Sequence, residues 1–126
     1  MCVFWKGMDL QTARNIERLI DLLKLPECQA DEVVEFTDKP PFGLRLEVYE
    51  KRLLITSWAL DQHEFDLKEV LKVNFPGRFS GLPQRVFIIQ QLLYISALCP
   101  PNYDAHQWFN LCQKQRQFLT QFDGGH

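Results

Sequence analysis

Two apolar runs with the alternation of β-strands lie next to each other between residues 43 and 60 and meet at Glu50 and Lys51. In the first run, GLRLEVYE, every second side chain is apolar, which is the period of a strand with one buried face. The second run, RLLITSWAL, is rich in β-branched and aromatic residues. Two strands joined by two residues pair as an antiparallel hairpin. The segment therefore requires a sheet whose buried face is covered by other elements.

Helical periodicity precedes and follows this hairpin. Residues 9–25 place apolar side chains at the spacing of an amphipathic helix, with Asp9 or Thr12 as the candidate N-cap. Residues 61–75 return to that spacing, and Asp66 with an acidic residue three positions later resembles a capping box. Each segment is followed by proline, which ends a helix.

Three further short runs have strand composition. They are VVEF (33–36), RVFII (85–89) and LLYISAL (92–98). The last two meet at Gln90-Gln91, which predicts either a second hairpin or one long bent strand.

A final helix is predicted from Asn102 or Asp104 to Phe122. The order of elements is then α-β-β-β-α-β-β-α, which indicates an α+β domain with an antiparallel sheet and helices packed on it. We expect one domain over residues 9–122, with tails at 1–8 and 123–126.

No pattern typical of an enzyme, a metal site or a cofactor site is present. The loop FPGRFSGLP lacks the Lys-Ser/Thr of a phosphate loop, and it leads from a helix into a strand, the opposite of the order that phosphate binding uses. The four cysteines form no CxxC pair, and the three histidines have no HxH or HExxH spacing. A nucleophile pair of Cys99 and His106 stays open as an alternative, although it lacks a third orienting group.

Charge and hydropathy exclude two other classes of protein. The net charge of −2 gives no general attraction to nucleic acid or to an anionic membrane. The N-terminus MCVFWKGMDL is too short and polar for a signal peptide, and no apolar run reaches the length of a membrane helix. We expect a soluble cytoplasmic protein. Its strands and middle helix carry more apolar residues than one small core requires, which indicates a protein partner.

The segments DLKEVLKVNFPGRFSG, RVFII and LLYISALCPPNYDAHQWFNLCQKQRQFLTQF resemble the class I type III secretion chaperones of the Tir-chaperone type. The resemblance covers residues 9–122. It implies a small cytoplasmic bacterial dimer without ATPase activity or cofactor. Such a protein binds the N-terminal region of a secreted effector in extended form and keeps it soluble and ready for secretion. A regulatory adaptor of the same fold, which holds a gatekeeper or transcription-regulatory protein and forms a heterodimer, is the alternative.

The resemblance also implies where partners bind. The dimer interface lies on the middle helix and the strand after it, at Leu67, Val70, Leu71, Phe75, Val86 and Ile88. The client contacts lie on the first helix and the first sheet strands, at Ile16, Ile20, Leu44, Leu46, Leu54 and Trp58. The alternative for each of these residues is that it is an ordinary core residue and not a contact with a partner.

Overall fold

Three α-helices and five strands follow one another in the predicted order over the residues that the structure describes. The structure is a computed structural model, and it describes residues 10–25, 33–36, 42–49, 52–59, 67–74, 76–79 and 81–121. The elements are α1 (Leu10–Leu22), β1 (Val33–Phe36), β2 (Phe42–Tyr49), β3 (Arg52–Ala59), α2 (Leu67–Val73), a 3₁₀ turn (Pro76–Phe79), β4 (Arg85–Ile89), β5 (Leu92–Leu98) and α3 (Ala105–Thr120). The predicted α+β class and element order are confirmed.

All five strands form one antiparallel sheet in the order β1-β2-β3-β5-β4. The pairing of Tyr49 with Arg52 confirms the tight hairpin between β2 and β3, whose turn residues lie outside the described residues. The pairing of Ile89 with Leu92 confirms a second hairpin, so the single bent strand is wrong. Gln90 and Gln91 both have positive φ, 51° and 70°, which is the type I′ geometry that matches the twist of paired strands.

The helices cover one face of the sheet. Helix α3 lies on the face formed by Leu53, Ile55 and Ser57 of β3, and α1 packs beside it. The core between these layers contains Ile16, Leu19, Leu44, Leu46, Leu53, Ile55, Ile95, Leu111, Cys112 and Phe118, all buried. The alternation of the strands accounts for this core, because every second side chain of β2, β3 and β5 faces the helices.

Helix ends differ in part from the prediction. Asp104 is the N-cap of α3 and forms a complete capping box with Gln107, at 3.0 Å and 2.8 Å. Thr12 is wrong as an N-cap, because it lies buried inside α1, which begins at Leu10. Asp9 and Asp66 lie outside the described residues, as do both predicted tails.

The middle helix ends two residues before its predicted end at residue 75, and residues 61–66 lie outside the described residues. It covers Leu67–Val73, and the chain then forms the 3₁₀ turn instead of entering the strand directly. Phe79 of that turn is buried against Phe118, and the Arg78 guanidinium lies 5.6 Å from the Phe118 ring centre. Gly81 follows with φ of +85°, a conformation that glycine adopts without strain. FPGRFSGLP is therefore a helix-to-strand connection held by an aromatic anchor.

Candidate binding surfaces

The face of the sheet opposite the helices forms a cleft of about 930 Å³. The cleft is lined by the strand side chains that point away from the helices. On β3 these are Leu54, Thr56 and Trp58, which alternate with the three residues of that strand that face the core. The strand order places the corresponding residues of β2, β5 and β4 beside them in rows that cross the strands.

One row is aromatic. Trp58 pairs with Tyr94, and Tyr94 pairs with Phe87. Both ring pairs are stacked with centroids 5.2 Å apart, at interplanar angles of 25° and 13°. Gly43, opposite Trp58 on β2, lies directly under the indole, and a Cβ at this position would overlap the Trp58 ring. The absence of a side chain at Gly43 therefore lets the tryptophan pack against the sheet.

The next row is small and polar. Thr56 and Ser96 are directly opposite each other, and their hydroxyl groups share a hydrogen bond of 2.9 Å. A third row, Leu54 and Leu98, lies beyond them. Together these rows form what we call the cross-strand trough: a floor of Thr56 and Ser96 between an aromatic wall (Trp58, Tyr94, Phe87) and a leucine wall (Leu54, Leu98).

The two ends of the trough differ in charge. At the β1 and β2 end, the Arg45 Nε lies 3.2 Å from Glu47 Oε1 and 3.7 Å from Glu35 Oε2. Two carboxylates around one guanidinium leave this end with a formal charge of −1. At the β4 end, Arg85 is exposed and adds a positive charge.

The edge strand β4 is a second candidate surface. Within the described residues it pairs with β5 alone, so one row of its backbone groups faces outward. Ile88 and Ile89 are 43% and 49% exposed, and Leu71 of α2 is 56% exposed. An apolar edge strand with few charges is a site where another chain can add a strand.

The residues predicted to bind a client lie in two different places. Four of them are buried between the helices and the sheet: Ile16, Ile20, Leu44 and Leu46. These four are core residues, which was the alternative to client binding, and their side chains offer no surface to a client. Leu54 and Trp58 point to the other face and line the cleft.

The residues predicted at a dimer interface are also divided. Leu71 and Ile88 are exposed, and Val86 is partly buried against the core. Val70 is fully buried and belongs to the core. The side chain of Leu67 and the whole of Phe75 lie outside what the structure describes. Asn74, just after α2, donates a hydrogen bond of 3.2 Å to the Gln84 carbonyl, which ties the end of α2 to the start of β4.

The lining residues that the sequence reasoning missed include Tyr94, Phe87, Ser96 and Leu98. Their alternation within LLYISAL and RVFII was visible, and it could have indicated that they share a face. Their meeting with Trp58 depends on β5 lying between β3 and β4, which is a property of the strand order.

The surroundings of Cys99 and of His106 do not favour the alternative in which the two form a nucleophile pair. Burial raises the pKa of Cys99 to about 12, and the neighbouring Cys112 contributes to the rise. Burial likewise raises the pKa of Cys112 to about 12. A thiol with such a pKa is a poor nucleophile at neutral pH. His106 is exposed, and its Nε2 lies 3.4 Å from an Arg18 guanidinium nitrogen.

Two searches of the described ranges gave negative results. No three His, Cys, Asp or Glu side chains gather there as metal ligands would. None of the helices described has the length and apolar character needed to cross a membrane.

The fold and the two surfaces define a small α+β protein with a helix-backed antiparallel sheet, an open cleft and an apolar edge strand. A family model, SsaM, matches residues 9–122, and the chain belongs to the SsaM family. That family places it among proteins related to type III secretion. A search of the curated proteins found no match to the chain.

Proposed function

We propose that the protein is a cytoplasmic chaperone of type III secretion that works without a cofactor and without catalysis. It binds the N-terminal region of a secreted effector in extended form and keeps it soluble. The class I, Tir-chaperone type is the finer assignment within this proposal. The observation that carries it is the apolar surface left uncovered in a chain of a secretion-related family: Ile89 on the β4 edge, beside the cleft that Leu54 and Leu98 line.

Physical reasons connect that surface to the task. A secreted chain that must stay unfolded exposes backbone groups and apolar side chains, both of which favour aggregation. An edge strand pairs with the backbone of such a segment, and exposed side chains beside it take alternate apolar residues. The client loses conformational entropy when it is ordered, so the chaperone needs a wide apolar contact area rather than one deep pocket.

We also propose a homodimer built on α2 and β4. Leu71 and Ile88 are exposed on these elements, and the hydrogen bond from Asn74 to Gln84 holds the two elements together. A two-fold interface uses the same patch on both copies, which suits an apolar surface that would otherwise stay in water.

A regulatory adaptor of the same fold is the second candidate. It is favoured by one observation: the family model that matches the chain is SsaM, a secretion-related family distinct in name from the effector chaperones. In this case the partner is a gatekeeper or a transcription regulator, and the complex is a heterodimer.

Affinity purification of the tagged full chain from a secreting bacterium separates the two candidates. A co-purified protein that also appears in the culture medium, bound through its N-terminal region, supports the chaperone. A co-purified protein that never leaves the cell supports the adaptor. The variant Ile89→Lys is expected to weaken capture in both cases, because a charge on the β4 edge blocks strand addition. Leu10→Asp, on the exposed side of α1, serves as the control.

A further inference from the structure

We infer that the cross-strand trough binds an amphipathic α-helix of a client protein, lying across the strands with its N-terminus toward β1 and its C-terminus toward β4. The inference rests on the proposed function only for the source of the helix. The shape and the charge that carry it belong to the trough.

Backbone chemistry favours a helix over an extended segment at this site. The strands β2, β3 and β5 under the trough are paired on both sides, so their backbone groups are engaged within the sheet. An extended segment laid on this face would bury its own N–H and C=O groups without partners. A helix satisfies these groups internally and presents only side chains.

The width of the trough suits a helix. Its walls start from Leu54 and Trp58, which are four residues apart on β3 and therefore about 13 Å apart at the usual rise of a strand. A helix with its side chains is about 10–12 Å across. The short side chains of Thr56 and Ser96 between the walls leave room for one apolar stripe to approach the sheet.

The length and the charged ends define the direction. From Arg45 on β2 to Arg85 on β4 there are three strand spacings, about 14 Å, which about ten helical residues span. The N-terminus of a helix carries partial positive charge and the C-terminus partial negative charge. The acidic end at Glu35 and Glu47 therefore suits the N-terminus, and Arg85 suits the C-terminus.

A synthetic helical peptide tests the inference with the full chain. The probe carries leucines at the spacing of one helical stripe, lysine in its first turn and glutamate in its last turn. A second peptide of the same composition has the two charged ends exchanged. Binding is measured by fluorescence anisotropy, and the site is mapped by amide shift changes in a ¹⁵N-labelled sample.

We expect the first peptide to bind more tightly than the second, with shift changes at Thr56, Ser96 and Leu98. Leu98→Asp, at a wall residue that is 38% exposed, should weaken binding about tenfold or more, because a carboxylate replaces apolar contact area. The matched control Leu10→Asp, at a residue 52% exposed on α1, should bind like the wild type. Arg85→Glu, at an exposed position, should reduce the preference between the two peptides.

Absence of binding, equal binding by Leu98→Asp, or shift changes confined to β4 would overturn the inference. Dispersed amide spectra of the variants show that they are folded. If the protein captures an effector but does not bind the peptide, the chaperone function is supported and the helix site is contradicted. If the protein binds the peptide in the trough but captures no effector, the helix site is supported and the chaperone function is contradicted.

Discussion

The Ser57 hydroxyl donates a hydrogen bond of 2.7 Å to Gln115 Oε1, and both side chains are fully buried between β3 and α3. The Gln115 amide nitrogen donates in turn to the Ile55 carbonyl at 3.2 Å and to Gln84 Oε1 at 3.0 Å. One glutamine thus joins the last helix to the central strand and to the segment before β4. It fixes the position of α3 along the sheet that bears both candidate surfaces.

Gln115→Leu should lower the free energy of unfolding by about 1–3 kcal/mol, because the buried Ser57 hydroxyl loses its acceptor. Urea denaturation followed by circular dichroism measures the change. Gln117→Leu, at an exposed position on the same helix, is the matched control and should change stability by less than about 0.5 kcal/mol. A Gln115→Leu protein as stable as the wild type would show that the hydrogen bonds contribute nothing net.

Gly43→Ala should disturb the aromatic wall, because the added Cβ overlaps the Trp58 indole. We expect a loss of about 1–3 kcal/mol in the free energy of unfolding and a changed near-ultraviolet circular dichroism spectrum. Gly81→Ala is the comparison, since a Cβ there meets no neighbouring atom and only its φ of +85° opposes the change. That variant should lose stability without a change in the near-ultraviolet spectrum, and an unchanged Gly43→Ala spectrum would refute the packing described for Trp58.

The thiols of Cys99 and Cys112 give a pH dependence. Burial raises their pKa values to about 12 in the folded protein, from the ordinary value of 9.0. Between these values the unfolded chain releases protons that the folded chain keeps, so the free energy of unfolding should fall as the pH rises from about 9 to 12. Denaturation across this range, compared with a Cys112→Ala variant, measures the effect, and a slope unchanged by that substitution would contradict it.

The same burial predicts slow reaction with thiol reagents. In a Cys2→Ser/Cys28→Ser background, Cys99 and Cys112 should react at neutral pH only after the protein is denatured. Reaction of native Cys99 faster than that of free cysteine would revive the enzymatic alternative.

Leu71→Asp should convert the proposed dimer into a monomer, because it places a carboxylate in an interface that the proposal makes apolar. Sedimentation velocity of wild type, Leu71→Asp and the control Leu10→Asp measures this. Leu71 and Leu10 are similarly exposed in the protomer, at 56% and 52%, so their effect on folding should be alike. A wild type that sediments as a monomer at micromolar concentration would contradict the proposed dimer.

Local patterns were enough to predict most of the fold. The alternation in GLRLEVYE and the apolar runs RVFII and LLYISAL predict strands within one residue of those observed. One face of β2 and of β5 is largely buried, and RVFII has the β-branched and aromatic composition of a strand although it lies at the edge. Asp104 was among the two predicted starts of α3, since its capping box is local. The end of the middle helix was predicted two residues too late, because apolar spacing continues from Leu71 through the residues that precede the 3₁₀ turn.

The candidate site was harder to predict, because it depends on contacts between distant segments. Alternation separates Leu44 and Leu46 from Arg45, but it does not say which of the two faces the helices cover. Leu44 and Leu46 were predicted as client contacts and lie in the core, while Arg45 lines the cleft. The aromatic wall needs β5 between β3 and β4, and no local signal in Trp58, Tyr94 or Phe87 contains that order.

The most direct test of the chaperone function is a quantitative comparison of the proteins that a type III secreting strain releases with and without this chain. We expect that one or a few effectors disappear from the medium, that their soluble cellular pool falls, and that the wild-type chain restores both while Ile89→Lys does not. An unchanged set of released proteins, with every effector still soluble in the cell, would contradict it.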